Sequence, residues 1–276
     1  MCRWFIYTGS KISIYDILYR PEHNILKQCY SPVYSPSYEQ ENPRDHHINI
    51  DGFGISIYDD SKVLTYKTTD HSWDDTNLLS LSKFLKSSLF MGHIRGIKPF
   101  QSTVPVHYNN CHPFTYLNYS FCHNGDVLHF NDIRETVKKQ ISNNLIGSLK
   151  GETDSEHLFF LMLSYLDIEK KYTGFEIYQV LLKSIKIIIE LTGGKTSSFN
   201  ICVTDGTNVV VTRFINSDTE EPPSLYVNVS STATIIASEP LNKKTEEWKI
   251  IEKNHYYLIE NKQASGKIMT SGEIVL

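Results

Sequence analysis

The order of the secondary-structure signals constrains this chain more than any other feature. β-Branched and aromatic residues run or alternate through Arg3–Thr8, Phe53–Tyr58, Val63–Lys67, Leu89–Arg95 and Tyr119–His123, between Gly, Asp and Pro punctuation, and predict a first group of strands. Two helices follow. Thr153-Asp154-Ser155-Glu156 has the capping-box pattern, continued by the apolar run His157–Leu166. Glu176–Leu191 sets Ile177, Val180, Leu181, Ser184, Ile188 and Leu191 on one helical face. Strands then resume at Phe199–Thr204 and Val209–Ile215, on either side of the turn Asp205-Gly206-Thr207-Asn208, and at Leu225–Val229, Thr234–Ala237, Tyr256–Glu260 and Ile274–Leu276. Each group of strands needs a covered face, and both helices carry an apolar one. An α+β fold of two mainly antiparallel sheets stacked together with helices outside, a four-layer αββα sandwich, satisfies both demands. Shorter helices at Ile14–Tyr19, stopped by Pro21, and at Asp75–Lys86, capped by Asp74 or Asp75, would cover the other side. Ser31–Asn49, with three prolines, reads as a loop-like insertion, not a linker, so residues 1–276 are expected to form one domain.

Composition narrows the class of function. With 40% apolar residues in 276, the chain can bury a sizeable core. A balance of 27 Lys+Arg against 31 Asp+Glu gives no electrostatic basis for a nucleic-acid partner. No apolar run approaches the roughly 20 residues that span a bilayer, and the opening MCRWFIYTGS lacks the regions of a secretory signal. The expectation is a soluble, cytoplasmic protein with no membrane partner. Its five cysteines, odd in number and scattered, are expected to be reduced.

One of those thiols has a special place. Cys2 follows the initiator methionine, and its small side chain permits removal of Met1, which would leave a thiol beside a free α-amine. An α-amine of pKa about 7.7–8.0 can take the thiol proton near neutrality, so one residue would supply nucleophile and base. The plainer reading is a small apolar residue on the first strand. Partners for acyl transfer occur later. Asn124 can offer a side-chain amide and Gly125 a backbone N–H to an oxyanion, although Asn-Gly also marks turns. Alternation puts His93 and Arg95 on one face, where a guanidinium can grip a carboxylate or form an ordinary ion pair. Asp154 can bind an ammonium group or favour the helix dipole. Zinc between Cys111-His112 and Cys122-His123 would need a spacing that matches no common finger, and neither metal nor cofactor is assigned.

Together, Met-Cys-Arg-Trp-Phe, Asp51-Gly52-Phe53-Gly54, His93-Ile94-Arg95, Cys111-His112-Pro113-Phe114, His123-Asn124-Gly125 and Glu152-Thr153-Asp154-Ser155-Glu156, in that order, resemble the class II glutamine amidotransferases, which are N-terminal-nucleophile hydrolases. With Ala237-Ser238-Glu239-Pro240-Leu241, the blocks look most like the stand-alone branch that includes the amidotransferase-like subunit of the yeast glutathione-degradation complex. The resemblance implies the same αββα sandwich. It also implies Cys2 as nucleophile, Asn124 and Gly125 as the oxyanion hole, Arg95 and Asp154 as readers of the amino-acid head, and His93 and Asp51 as support. His112 either lines the pocket or is a structural imidazole.

The expected function is hydrolysis of a γ-glutamyl amide, in glutathione or a related small molecule, through a thioester. The length of the chain leaves no second domain for synthesis. Alternatives are a glutaminase subunit supplying ammonia to a separate synthase, or a non-catalytic scaffold subunit. The resemblance further implies a metallopeptidase-like protein partner. Gly96–Asn110 is longer than the Arg-Ala-Ser-Thr-like continuation usual in related proteins, and Ile50 stands where a Gly often precedes Asp-Gly-Phe-Gly.

Overall fold

The computed structural model describes residues 2–33, 49–60, 62–97, 104–261 and 266–276. The inferred removal of Met1, most of the Ser31–Asn49 insertion and part of Gly96–Asn110 lie outside them.

Two antiparallel sheets form the centre. The first contains β1 (Arg3–Ser13), β2 (Phe53–Asp59), β3 (Lys62–Thr68), β4 (Lys86–Ile94), β9 (Tyr226–Val229), β10 (Ala233–Ala237) and β11 (Lys249–Ile250), in the order β11-β9-β10-β1-β4-β2-β3. The second contains β5 (Phe114–Tyr116), β6 (Tyr119–Val127), β7 (Ser197–Thr204), β8 (Asn208–Ile215), β12 (His255–Glu260) and β13 (Lys267–Glu273), in the order β13-β12-β8-β7-β6-β5.

Side-chain alternation makes the layers. On β1, Phe5 and Tyr7 join Ile17 and Leu18 of α1 (Tyr15–Leu18), Ile25 and Leu26 of α2 (Ile25–Gln28) and Leu78 of α3 (Thr76–Phe84). Trp4 and Ile6 face the other way and pack on Cys122, Cys202, Val209 and Val211 of the second sheet. The outer face of that sheet, with Phe121, Phe199 and Ile201, meets α4 (Phe130–Gln140), α5 (Asn143–Ile146), α6 (Asp154–Leu163) and α7 (Gly174–Leu191). The four-layer expectation holds. Among the described residues no helix is long and apolar enough to cross a membrane.

Three local expectations change. The strand expected at Ile274–Leu276 is instead β13, which ends at Glu273. Apolar composition alone is not a strand: Val275 is exposed, and only Ile274 is buried, with its N–H on the Asn254 carbonyl at 2.6 Å. Helix α4 was not expected, although Phe130, Ile133 and Val137 are its buried stripe, because its N-cap is His129 at φ 60° with no side-chain cap. At α6, Thr153 accepts the Glu156 N–H as the box requires, but the Glu156 carboxylate turns to the N–H groups of Lys150 and Gly151. The reciprocal box is at α7, between Thr173 and Glu176.

Candidate active site

Cys2 enters the first sheet where β1 meets the end of β4, with Arg3 opposite Ile94 and Trp4 opposite His93. Its Sγ lies 3.4 Å from the Gly96 nitrogen, which donates to it, and 3.7 Å from the Gly96 oxygen. Alternation with Trp4 and Ile6 turns the thiol toward the second sheet. Of the five cysteines, Cys2 is half-buried and the other four are buried. Burial pushes the Cys29 thiol up to about 12, raises Cys111, and raises Cys122 and Cys202 as well.

Two bonds between the sheets set this corner over β6. The Trp4 indole donates to the Asn200 carbonyl at 3.2 Å, and Asn200 stands opposite Asn124 in the β6–β7 register. His93 Nε2 donates to the His123 carbonyl at 3.1 Å, one residue before Asn124. Asn124 shares the inner face with Cys122, is 2% exposed, and its Nδ2 has no hydrogen-bond partner among the described residues. Asn200 Oδ1 is likewise unpartnered, while its Nδ2 donates to the Pro223 carbonyl at 2.6 Å. Gly125 is required sterically: a Cβ there would collide with the Ser198 carbonyl and the His123 ring.

Arg95 is buried on the same inner face as His93. Its guanidinium donates to the carbonyls of Pro105 at 2.9 Å and Val104 at 3.3 Å. Asp51 holds the chain beside it: its N–H meets the Arg95 carbonyl at 3.2 Å and its carboxylate accepts the Ile97 N–H at 2.6 Å. Asp154 opens α6 beyond the N-cap Thr153. Its carboxylate accepts the N–H groups of Val127 at 3.0 Å and Ser155 at 2.7 Å, and the Ser155 hydroxyl at 3.0 Å, tying the helix start to the end of β6.

The Asp-Gly-Phe-Gly and Cys-His-Pro-Phe blocks interlock. A Cβ on Gly52, whose φ is 134°, would strike Cys111 Sγ, and one on Gly54 would strike the His112 carbonyl. Gly52→Ala should therefore lower stability by roughly 2–6 kcal/mol in a denaturant titration, since overpacking and backbone strain each cost about 1–3 kcal/mol.

His112 lies against His93, ring centroids 4.1 Å apart, and neither of its nitrogens has a partner among the described residues. Burial holds His112 well below the usual imidazole range, brings His93 down to about 3, and lowers His157. Below pH ~6.5 the unfolded chain takes up protons on these rings and the folded chain does not, so stability present above that pH is lost as pH falls, by up to about 1.4 kcal/mol per pH unit for each ring. Burial raises the Glu156 carboxyl, which has the opposite sign and offsets part of the loss. Urea midpoints should be lower at pH 5.5 than at pH 7.5. Among the described residues, no group of three or more His, Cys, Asp or Glu side chains is arranged to hold a metal.

Two antiparallel sheets stacked between helices form an α+β sandwich of the N-terminal-nucleophile hydrolase type. The fold is similar to a glutamine aminotransferase class-II domain protein from Silicibacter pomeroyi, with TM-score 0.69, 23% identity and all of both chains covered. It is also similar to the glutamine phosphoribosylpyrophosphate amidotransferase of B. subtilis, with TM-score 0.64 and 15% identity, over all of this chain and 50% of that one. The profile of the class-II glutamine amidotransferases matches residues 36–220. The probable glutamine amidotransferase DUG3 of Saccharomyces cerevisiae is 30% identical over 94% of this chain and 82% of its own length. The gamma-glutamyl-hercynylcysteine sulfoxide hydrolase of Mycobacterium tuberculosis is 24% identical over 46% of this chain and 50% of its own. The chain belongs to the class-II glutamine amidotransferases, and it is an amidotransferase-like hydrolase.

Sequence patterns missed Asn200 and Trp4. Asn200 carries one signal, a polar residue between the apolar Phe199 and Ile201 in a buried strand. Trp4 reads as plain core until its N–H finds the opposite sheet.

Proposed function

We propose that the protein is a cytoplasmic amidohydrolase that cleaves a γ-glutamyl amide, in glutathione or a related compound, with Cys2 as nucleophile once Met1 is removed. The observation that carries this reading is the buried Asn124 Nδ2 donor, without a partner among the described residues and on the inner face toward which the half-buried thiol turns. Desolvating an amide donor without a hydrogen bond costs about 1–3 kcal/mol, and an oxyanion formed there would supply the bond.

The free α-amine takes the thiol proton, and sulfur attacks the γ-carbonyl carbon. Asn124 and the Gly125 N–H hold the resulting oxyanion. Collapse breaks the C–N bond, and the leaving amine takes the proton from the α-ammonium. Water then adds to the thioester and releases glutamate and the thiol. The α-carboxylate pairs with Arg95, whose guanidinium has N–H groups beyond the two spent on Val104 and Pro105, and the α-ammonium pairs with Asp154. His112, uncharged, lines the pocket. The name of the mycobacterial relative supports a γ-glutamyl substrate, and that of the yeast relative a glutamine-type amide. A metallopeptidase-like partner belongs to the same reading, and full activity of the isolated chain would remove it.

Glutamate release from glutathione and from glutamine tests the substrate. Higher kcat/KM on the γ-glutamyl peptide is expected. Preference for glutamine, with stimulation by a separate synthase, would replace this reading with an ammonia-supplying subunit.

A further inference from the structure

Behind the start of β1 lies a wholly buried carboxylate. Glu239, just after β10, accepts from Arg3 Nε at 3.0 Å through Oε1. Its Oε2 lies 2.9 Å from His23 Nε2 and accepts the Val33 N–H at 2.8 Å. The Arg3 guanidinium, itself buried, also donates through Nη1 to the Cys2 carbonyl at 3.0 Å. The preceding residue grips the next peptide: the Ser238 N–H meets the Trp4 carbonyl at 2.9 Å, and Ser238 Oγ accepts the Trp4 N–H at 3.0 Å.

Stability does not account for an ion pair in this place. Desolvation of two buried charges roughly cancels their attraction, so a well-packed apolar pair would hold the space as firmly. What the ionic arrangement adds is a donor on the Cys2 carbonyl, aimed by a guanidinium whose own direction Glu239 fixes. A leading residue has no chain upstream to restrain it, and chain ends fray unless tied down. Attack on a carbonyl requires the opposite, a sulfur held in one place.

We infer that Glu239 is a positioning residue for Cys2, acting through Arg3; the inference rests on Cys2 being the nucleophile. Arg3→Lys separates placement from packing. An ammonium can pair with Glu239, but its single rotatable nitrogen does not reproduce the rigid fork that joins Glu239 to the Cys2 carbonyl through two different nitrogens. The expected result is a melting temperature like the parent's, KM within about twofold, and kcat lower by about tenfold or more, since a misplaced nucleophile loses rate without losing substrate affinity. A folded Arg3→Lys protein with parental kcat overturns the inference. Should that variant not fold, Arg3→Met combined with Glu239→Leu, which leaves no buried charge of the pair, decides by the same split between kcat and KM. Cys2→Ala is assayed alongside. Activity surviving there rejects the nucleophile and the positioning role with it, whereas an inactive Cys2→Ala beside a fully active Arg3 variant rejects the positioning role alone.

Discussion

Cys2→Ala should abolish turnover and thioester formation while leaving the fold intact. The thiol's hydrogen bonds are to the Gly96 backbone, and it is half-buried, so its removal opens no core cavity. No other thiol can replace it. Cys29, Cys111, Cys122 and Cys202 are buried, and burial keeps each protonated through the neutral range. Residual hydrolysis above background, with circular dichroism unchanged, would reject the assignment.

Asn124→Ala should lower kcat by about 10²–10³-fold, equivalent to roughly 2.7–4 kcal/mol of transition-state stabilisation. It should do so without lowering the melting temperature, and the sign is the informative part. A buried amide that served only the fold would be hydrogen-bonded, and its loss would destabilise the protein. Asn124 Nδ2 has no partner among the described residues, so truncation removes a desolvation cost instead. Lower activity at equal or higher stability identifies a donor held ready for the reaction. A destabilised protein with parental kcat would make Asn124 a packing residue.

Much of this architecture could be read from the chain because the physics was local. Two sheets and two long helices followed from alternation, helical spacing and the Thr153 cap, while the Thr173 cap of α7 emerged only in the structure. Alternation also put His93 and Arg95 on one face, and the structure turns His93 inward onto the His123 carbonyl. The misses share a different cause. Helix α4 carried an apolar stripe but no capping side chain at His129 to mark its start, and β13 is exposed along most of its length and carried little apolar pattern. Gly52 and Gly54 were legible only as parts of a motif. Their physical reason is the close approach of Cys111 and His112, which are remote in sequence. Arg95 also could not be foreseen on the carbonyls of Val104 and Pro105, because that contact depends on the path of a loop with no periodicity. Pairs that meet only in the tertiary structure leave no spacing to count.

Intact-mass analysis before and after exposure to a glutamine-analogue electrophile tests the central claim most directly, because it reads the leading residue and the reacting sulfur together. The expected spectrum shows a protein lighter by one methionine that gains a single adduct, mapped by peptide sequencing to Cys2. An active protein that retains Met1, or an adduct on any of the four buried cysteines, would contradict the account.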